Sequence, residues 1–188
     1  MELNKAIKSR KSVRKYSEKK PDWRDIIECI DTCRYAPMGG NNFTLKFIVI
    51  DDPDTIQELS EAAQQDFVSN AHYVVVVCTN PARTQNAYGE FADKFLRQQA
   101  GAAMQNFLLS IQEKGLSTCW VGHFEEQMVK RELKIPDNII VEAMFPIAYE
   151  SKKMGQKTKP KPKIDLDNFL YFYKYGNKKM KTIQKINA

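Results

Sequence analysis

The sequence predicts one domain that interleaves helices with strands, and three stretches carry that prediction. Residues 98–122 read as a long buried helix, a glycine stop and a short apolar strand. Ala100, Ala103, Met104, Phe107, Leu108 and Ile111 recur there at helical spacings of three and four. Residues 73–78, YVVVVC, form a continuous β-branched run, the pattern of a central strand covered on both faces. Residues 139–149 read as another strand, with Val141, Ala143, Phe145 and Ile147 alternating on one face. In the long helix Gly101, Ala102 and Ala103 allow close approach. Gly115 stands where a helix ends on a left-handed residue, a conformation open to glycine at no steric cost. A helix this apolar needs cover on several sides, from its own chain or from a second copy.

The chain has 188 residues, of which 43% are hydrophobic and 11% aromatic, enough for one ordinary domain with a real core. There is no run of 18 apolar residues to span a membrane, and the opening MELNKAIKSRKS lacks the apolar stretch of a signal peptide. The expectation is a cytoplasmic protein. Cys29, Cys33, Cys78 and Cys119 form no C-x-x-C pair, and His72 and His123 are the only histidines, so no metal site is expected. Cys29 and Cys33 share a helical face and read as buried thiols rather than a redox pair.

The net charge of +6 invites a nucleic-acid reading, but its distribution argues against one. Residues 150–163 hold six lysines and one glutamate, and residues 174–188 hold five lysines and no acid. Two segments of +5 thus outweigh a remainder of −4, and the body is mildly acidic. A basic tail of this kind binds phosphates or is simply solvated.

Leu3, Ala6 and Ile7 mark a short first helix ending near Ser9. Arg10, Lys11, Ser12, Val13, Arg14 and Lys15 follow: four cations and a hydroxyl in six residues. They could grip one anion from several directions, the arginines through a rigid fork. Taken alone, the stretch fits an exposed basic turn better. Pro21 and Asp22 open a second helix with Trp23, Ile26, Ile27 and Ile30 as its stripe. It ends at Ala36, before the loop Pro37, Met38, Gly39, Gly40, Asn41, Asn42. Such a loop can present main-chain donors to a polar ligand, though many turns look alike. A strand over 47–50, a helix over 55–63, a loop over 80–89 and a helix over 125–134 complete the body. Residues 150–163 read as a basic connection, 164–173 as an apolar segment packing on the body or a partner, and 174–188 as a mobile tail. The domain proper spans 1–173.

No G-x-G-x-x-G follows a strand, and there is no G-x-x-x-x-G-K-[ST] or G-x-S-x-G. Cys119 and His123 sit on one short segment with no third group to orient them, a poor nucleophile and base.

Three patterns, taken in order, resemble the FMN-dependent nitroreductase family. The first is Arg10, Lys11, Ser12, Val13, Arg14 after a short helix, followed by a helix ending in Ala36, Pro37, Met38, Gly39, Gly40, Asn41. The second is GAAMQNFLL from Gly101, then GLSTCWVG from Gly115 to Gly122. The third is Ile135, Pro136, a strand ending FPIAY at Tyr149, and a basic tail. The likeness runs from about residue 3 to 172. It implies an α+β nitroreductase-like fold, a mixed and mostly antiparallel sheet flanked by helices. It further implies a homodimer with the long helix at the interface, two FMN sites between the subunits, and a C-terminal segment reaching across.

Carried over by position, Arg10, Lys11, Ser12 and Arg14 would surround the FMN phosphate and ribityl chain. Pro37, Met38, Gly39 and Asn41 would lie along the isoalloxazine from the partner subunit. Val121, Gly122 and His123 would offer backbone near the reactive edge, and Lys161 or Lys163 would complete the phosphate site. A phosphate dianion needs charge-assisted donors, and the ring edge needs main-chain donors that tune its potential. The chain departs from the family in Asn42, Phe43, Thr44, Leu45, where a polar residue and Pro-Trp are usual, and in carrying lysines rather than arginine in the tail. The implied activity passes hydride from NADH or NADPH through flavin N5 to a nitroaromatic, quinone, enone or flavin, with no catalytic side chain. The alternatives are an FMN-binding or flavin-transfer protein without NAD(P)H turnover, and a nucleic-acid binder using the tails, which the acidic body disfavours.

Overall fold

The computed structural model describes residues 1–151 and 164–180. Its centre is one sheet of four strands: β1 (Leu45–Ile50), β2 (Tyr73–Thr79), β3 (Ser117–Thr118) and β4 (Ile140–Ala148), in the order β1-β2-β4-β3. Every strand pairing among the described residues is antiparallel. β2 is buried along its whole length, as its β-branched run predicts.

Alternation along β2 divides the core in two. Tyr73, Val75 and Val77 face one layer with Ala143, Phe145 and Ile147. Val74, Val76 and Cys78 face the other. The first layer is closed by helices α2 (Trp23–Asp31) and α5 (Ala92–Glu113), which bring Ile26, Cys29, Ala100, Ala103, Met104, Phe107 and Ile111. Phe107 meets Phe145 edge to face at 5.3 Å. The second layer is closed by α3 (Pro53–Ala63) and α6 (Glu126–Leu133). A short α1 (Leu3–Ser9) precedes them all.

Two expectations change. Val141 does not share a face with Ala143, because the register slips between Val77 and Cys78, which pair with Ala143 and Val141. The bulge displaces Glu142, so Val141 joins the second layer instead. Residues 80–89, expected as loop, contain α4 (Ala82–Tyr88). The Asn80 side chain accepts from the backbone N–H of Ala82 at 3.2 Å, and Gly89 ends the helix at φ +52°. With Thr84 its one buried residue, α4 shows no apolar stripe to read.

The α5 stop is as expected. Gly115 adopts φ +72°, its N–H donates to Gln112, and Leu116 donates to Ile111 at 3.0 Å, the double bond of a Schellman close. Ala103 lies inside the core, whereas Gly101 faces open space on the outer side of α5. No helix among the described residues is long and apolar enough to cross a membrane.

The chain divides into two compact units, Met1–Lys152 and Lys153–Ala188. Within the second, Leu166–Asn168 form a short turn, Tyr171 lies 4.8 Å from Tyr175, and Lys178 stands over Tyr171. Lys161 and Lys163 and the end of the tail lie outside the described residues.

Candidate functional site

The basic segment after α1 is not a loose turn. Val13 donates its N–H to the carbonyl of Thr118 at 2.9 Å, which lays residues 10–14 along the short strand β3. The Tyr16 hydroxyl donates to Val13 O, and Ser17 N–H and Ser151 N–H tie the next residues to Tyr149 and Lys15. Burial raises the Tyr16 pKa well above the usual phenol value, so this hydroxyl stays a donor. In the extended chain Val13 turns inward, while Ser12 and Arg14 are exposed. Lys11 behaves differently: its ammonium lies 2.6 Å from the Glu150 carboxylate. The Lys11 ammonium therefore has an internal counter-charge, and Glu150 is a partner that sequence reasoning missed. Arg14 also leans over the Phe67 ring at 5.5 Å.

The same edge carries the second predicted group. Val121 exchanges both backbone hydrogen bonds with Met144, at 3.0 and 2.9 Å, so Val121 has no main-chain donor to offer a ligand. Gly122 and His123 are exposed, and their N–H groups meet no acceptor among the described residues. Trp120 packs edge-on against Phe145 at 5.5 Å, which holds the turn that presents them. Cys119 is buried and His123 exposed, which removes them as a nucleophile and base. β3 thus brings residues 10–14 and 121–123 to one edge of the sheet.

The third predicted group forms its own site. Gly40 and Asn41 both take positive φ, +59° and +53°. A Cβ on Gly40 would stand 2.8 Å from the Tyr88 hydroxyl and force that ring to shift, on a backbone whose positive φ already favours glycine. Contrary to the sequence expectation, much of the loop's donor capacity is spent internally. Asn41 N–H goes to Met38 O, Asn42 N–H to Gly39 O, and Gly39 N–H to the Gln99 side chain at 3.2 Å. Pro37, Met38 and Gly39 instead line a cavity of about 320 Å³, together with Phe95, Gln98, Gln99 and Ala102 of α5. None of residues 10–14 or 121–123 lines it. In the sequence the α5 residues show only a helical pattern, because a cavity wall and a helix surface have the same spacing.

The donors present suit a flavin mononucleotide. Arg10, Ser12 and Arg14 supply cationic and hydroxyl donors on one extended segment. Gly122 and His123 supply two unspent N–H groups on the same edge. Pro37, Met38 and Gly39 supply an apolar wall with one backbone face. These are the three kinds of surface that a phosphate, a ring edge and a ring face require.

Comparison with known proteins bears on the family and the fold. The family model described as "Nitroreductase family" matches residues 7–70 and 54–149. A protein of Archaeoglobus fulgidus, provisionally named NADH dehydrogenase/NAD(P)H nitroreductase, is 31% identical over 153 residues, covering 79% of this chain and 85% of its own. The crystal structure of a nitroreductase family protein from Clostridium novyi NT superposes with a TM-score of 0.75 at 28% identity, covering 94% of this chain and 96% of that one. The structure of an FMN-dependent nitroreductase from Clostridium difficile R20291 shares the fold, with a TM-score of 0.75 at 22% identity, covering 90% and 98%. The chain belongs to the nitroreductase family, and its α+β fold is that of the family.

Proposed function

We propose that this oxidoreductase binds FMN and passes hydride from NADH or NADPH to a small organic acceptor. The observation that carries the reading is the single sheet edge that gathers residues 10–14 with Gly122 and His123 through the bond from Val13 to Thr118. It receives support from the A. fulgidus relative's name and from the C. difficile neighbour described as FMN-dependent.

Bound FMN would supply the two-electron chemistry. The chain supplies binding and orientation. Arg10, Ser12 and Arg14 hold the phosphate, with Lys11 steadied by Glu150. Gly122 and His123 donate toward the ring edge, and Pro37, Met38, Gly39 and Asn41 shape a ring face. Val121 contributes the fixed strand end rather than a donor. Lys161 or Lys163 completes the phosphate site in this reading.

The active unit in this reading is a homodimer. Gly101 faces open space, and Ala102 and Leu109 on the same helix are only half-buried. Leu3, Ile7, Trp23, Ile27 and Tyr35 are exposed on α1, α2 and the turn after it. A second copy would cover these surfaces and set its Pro37–Gly39 cavity against the edge that carries Arg14 and Gly122. The exposed aromatics Phe169, Tyr173 and Tyr175 belong in this reading to a segment that crosses to the partner.

The test is FMN binding by the purified chain, followed by anaerobic addition of NADH and NADPH. Uptake of FMN and its reduction by either donor supports an oxidoreductase. Uptake without reduction by either supports a flavin-transfer role instead.

A further inference from the structure

A second cavity, also about 320 Å³, lies where β1 begins and β2 ends, and it plays no part in the flavin site just described. Its walls include Asn42, Phe43, Thr44, Lys46, Asn80 and Arg83. Lys46 comes from β1 and Arg83 from α4. Neither forms an ion pair among the described residues, and no carboxylate lines the cavity.

The amides point the same way. Asn80 Oδ1 accepts from Ala82 N–H, and this fixes the side chain so that its NH₂ group remains to donate. Asn80 is itself fixed, because its backbone N–H donates to Thr44 O at 2.9 Å. An exposed guanidinium, an exposed ammonium and a partly buried amide NH₂ around one cavity form a donor set that favours anionic oxygens. Phe43, 41% exposed, adds an aromatic wall.

The cavity adjoins the one at Pro37–Gly39. The Gln99 side chain accepts from Gly39 N–H and donates from Nε2 to Thr44 Oγ1. Gly39 and Thr44 are therefore within about 8 Å, two hydrogen bonds and one amide apart. α4 serves both cavities, with Arg83 lining one and Tyr88 closing over Gly40 beside the other.

We propose that the Lys46–Arg83 cavity is an anion subsite of the same active site. It seats a phosphate of the nicotinamide dinucleotide or a carboxylate of the acceptor. The proposal rests on the oxidoreductase reading above, and the charged pair is a specificity device rather than part of the chemistry.

The test uses the full chain loaded with FMN, as wild type and as the Lys46→Gln, Arg83→Gln double variant. Inorganic phosphate and benzoate are titrated in while the Asn42 and Asn80 side-chain amides are followed by NMR. Saturable shifts that weaken about tenfold in the variant, the scale of one charge-assisted hydrogen bond, are expected. No shift, or equal shifts in both proteins, overturns the proposal. Steady-state KM values then locate the source of the anion, using NADH, NADPH, p-nitrobenzoate and the neutral p-nitrobenzamide. A rise for NADPH relative to NADH identifies the 2′-phosphate, and a rise for both dinucleotides alone identifies the pyrophosphate. A rise for p-nitrobenzoate relative to the amide identifies the acceptor. No change, or an equal change for all four, overturns the subsite. If wild-type protein oxidises neither dinucleotide, the oxidoreductase reading falls, and the titration by itself decides whether the cavity binds anions.

Discussion

Gln99 Nε2 donates to the Thr44 hydroxyl at 2.7 Å, with both residues 4% exposed, and the same amide accepts from Gly39. One buried side chain on α5 thus fixes the loop that walls two cavities. Gln99→Leu leaves the Gly39 N–H and the Thr44 hydroxyl without their partner. It should cost about 1–3 kcal/mol, the penalty of a buried unsatisfied polar group. Urea denaturation measures this. A cost near zero would show that the loop does not depend on the amide.

The bulge in β4 carries a second buried polar arrangement. Glu142 Oε2 pairs with Arg97 Nη1 at 2.9 Å, while Glu142 Oε1 is buried with no hydrogen-bond partner. Arg97→Met removes the ion-pair partner that a carboxylate 5% exposed has among the described residues. A loss of about 1–3 kcal/mol is expected, discounted because Arg97 itself is half-exposed. Adding Glu142→Gln should return part of that loss, since the uncompensated charge is then gone. Additive losses in the double-variant cycle would contradict the coupling.

These two contacts show where the sequence is legible. Local patterns are enough for the opening helix, the Gly115 stop, the buried β2 and the basic segment at 10–14. They fail where long-range contact decides. α4 has no apolar stripe and is held by the bond from Ala82 N–H to the Asn80 side chain and by Tyr88 against Phe95 at 4.8 Å. Val141 alternates correctly in the sequence, yet one extra residue at Glu142 turns it to the other face. Val121 lost its expected donor role to Met144, a partner more than twenty positions away. The loop at 37–41 looked rich in free donors because hydrogen bonds to Met38, Gly39 and Gln99 leave no local signature.

The cysteines give a pH prediction. Burial pushes the thiol of Cys29 up to about 11, that of Cys33 up to about 12 and that of Cys78 up to about 11. A folded pKa above the unfolded value of 9.0 means that the native state holds its protons more tightly. The stability from these neutral thiols is full below about pH 9 and is lost as pH rises through 11 to 12. Denaturation midpoints should therefore fall between pH 8.5 and about 10.5. All four thiols should resist a thiol reagent at pH 8 until denaturant is added, since all are buried. Rapid labelling of the native protein would contradict this.

Lys134 ends α6 in the left-handed region at φ +53°, with Ile135 N–H donating to Lys130 O. Lys134→Gly removes the strain of a side chain there and should stabilise the protein by about 1 kcal/mol, read as a raised denaturation midpoint. A lowered midpoint would mean that the lysine side chain does more than close the helix.

The phosphate assignment is tested by affinity. Arg10→Ala should weaken FMN binding by about 1.5–3 kcal/mol, the scale of a hydrogen bond to a charged group. Glu150→Gln should tighten it, because the ammonium of Lys11 then loses its carboxylate partner at 2.6 Å and is left for the phosphate. Unchanged affinity in both variants would contradict the assignment.

The measurement that bears most directly on the account is the visible spectrum of the FMN-saturated protein during anaerobic addition of NADH and, separately, NADPH. The account predicts stoichiometric FMN uptake and loss of the flavin's visible absorbance with at least one donor. A chain that takes up no FMN, or that holds FMN which neither donor bleaches, would contradict it.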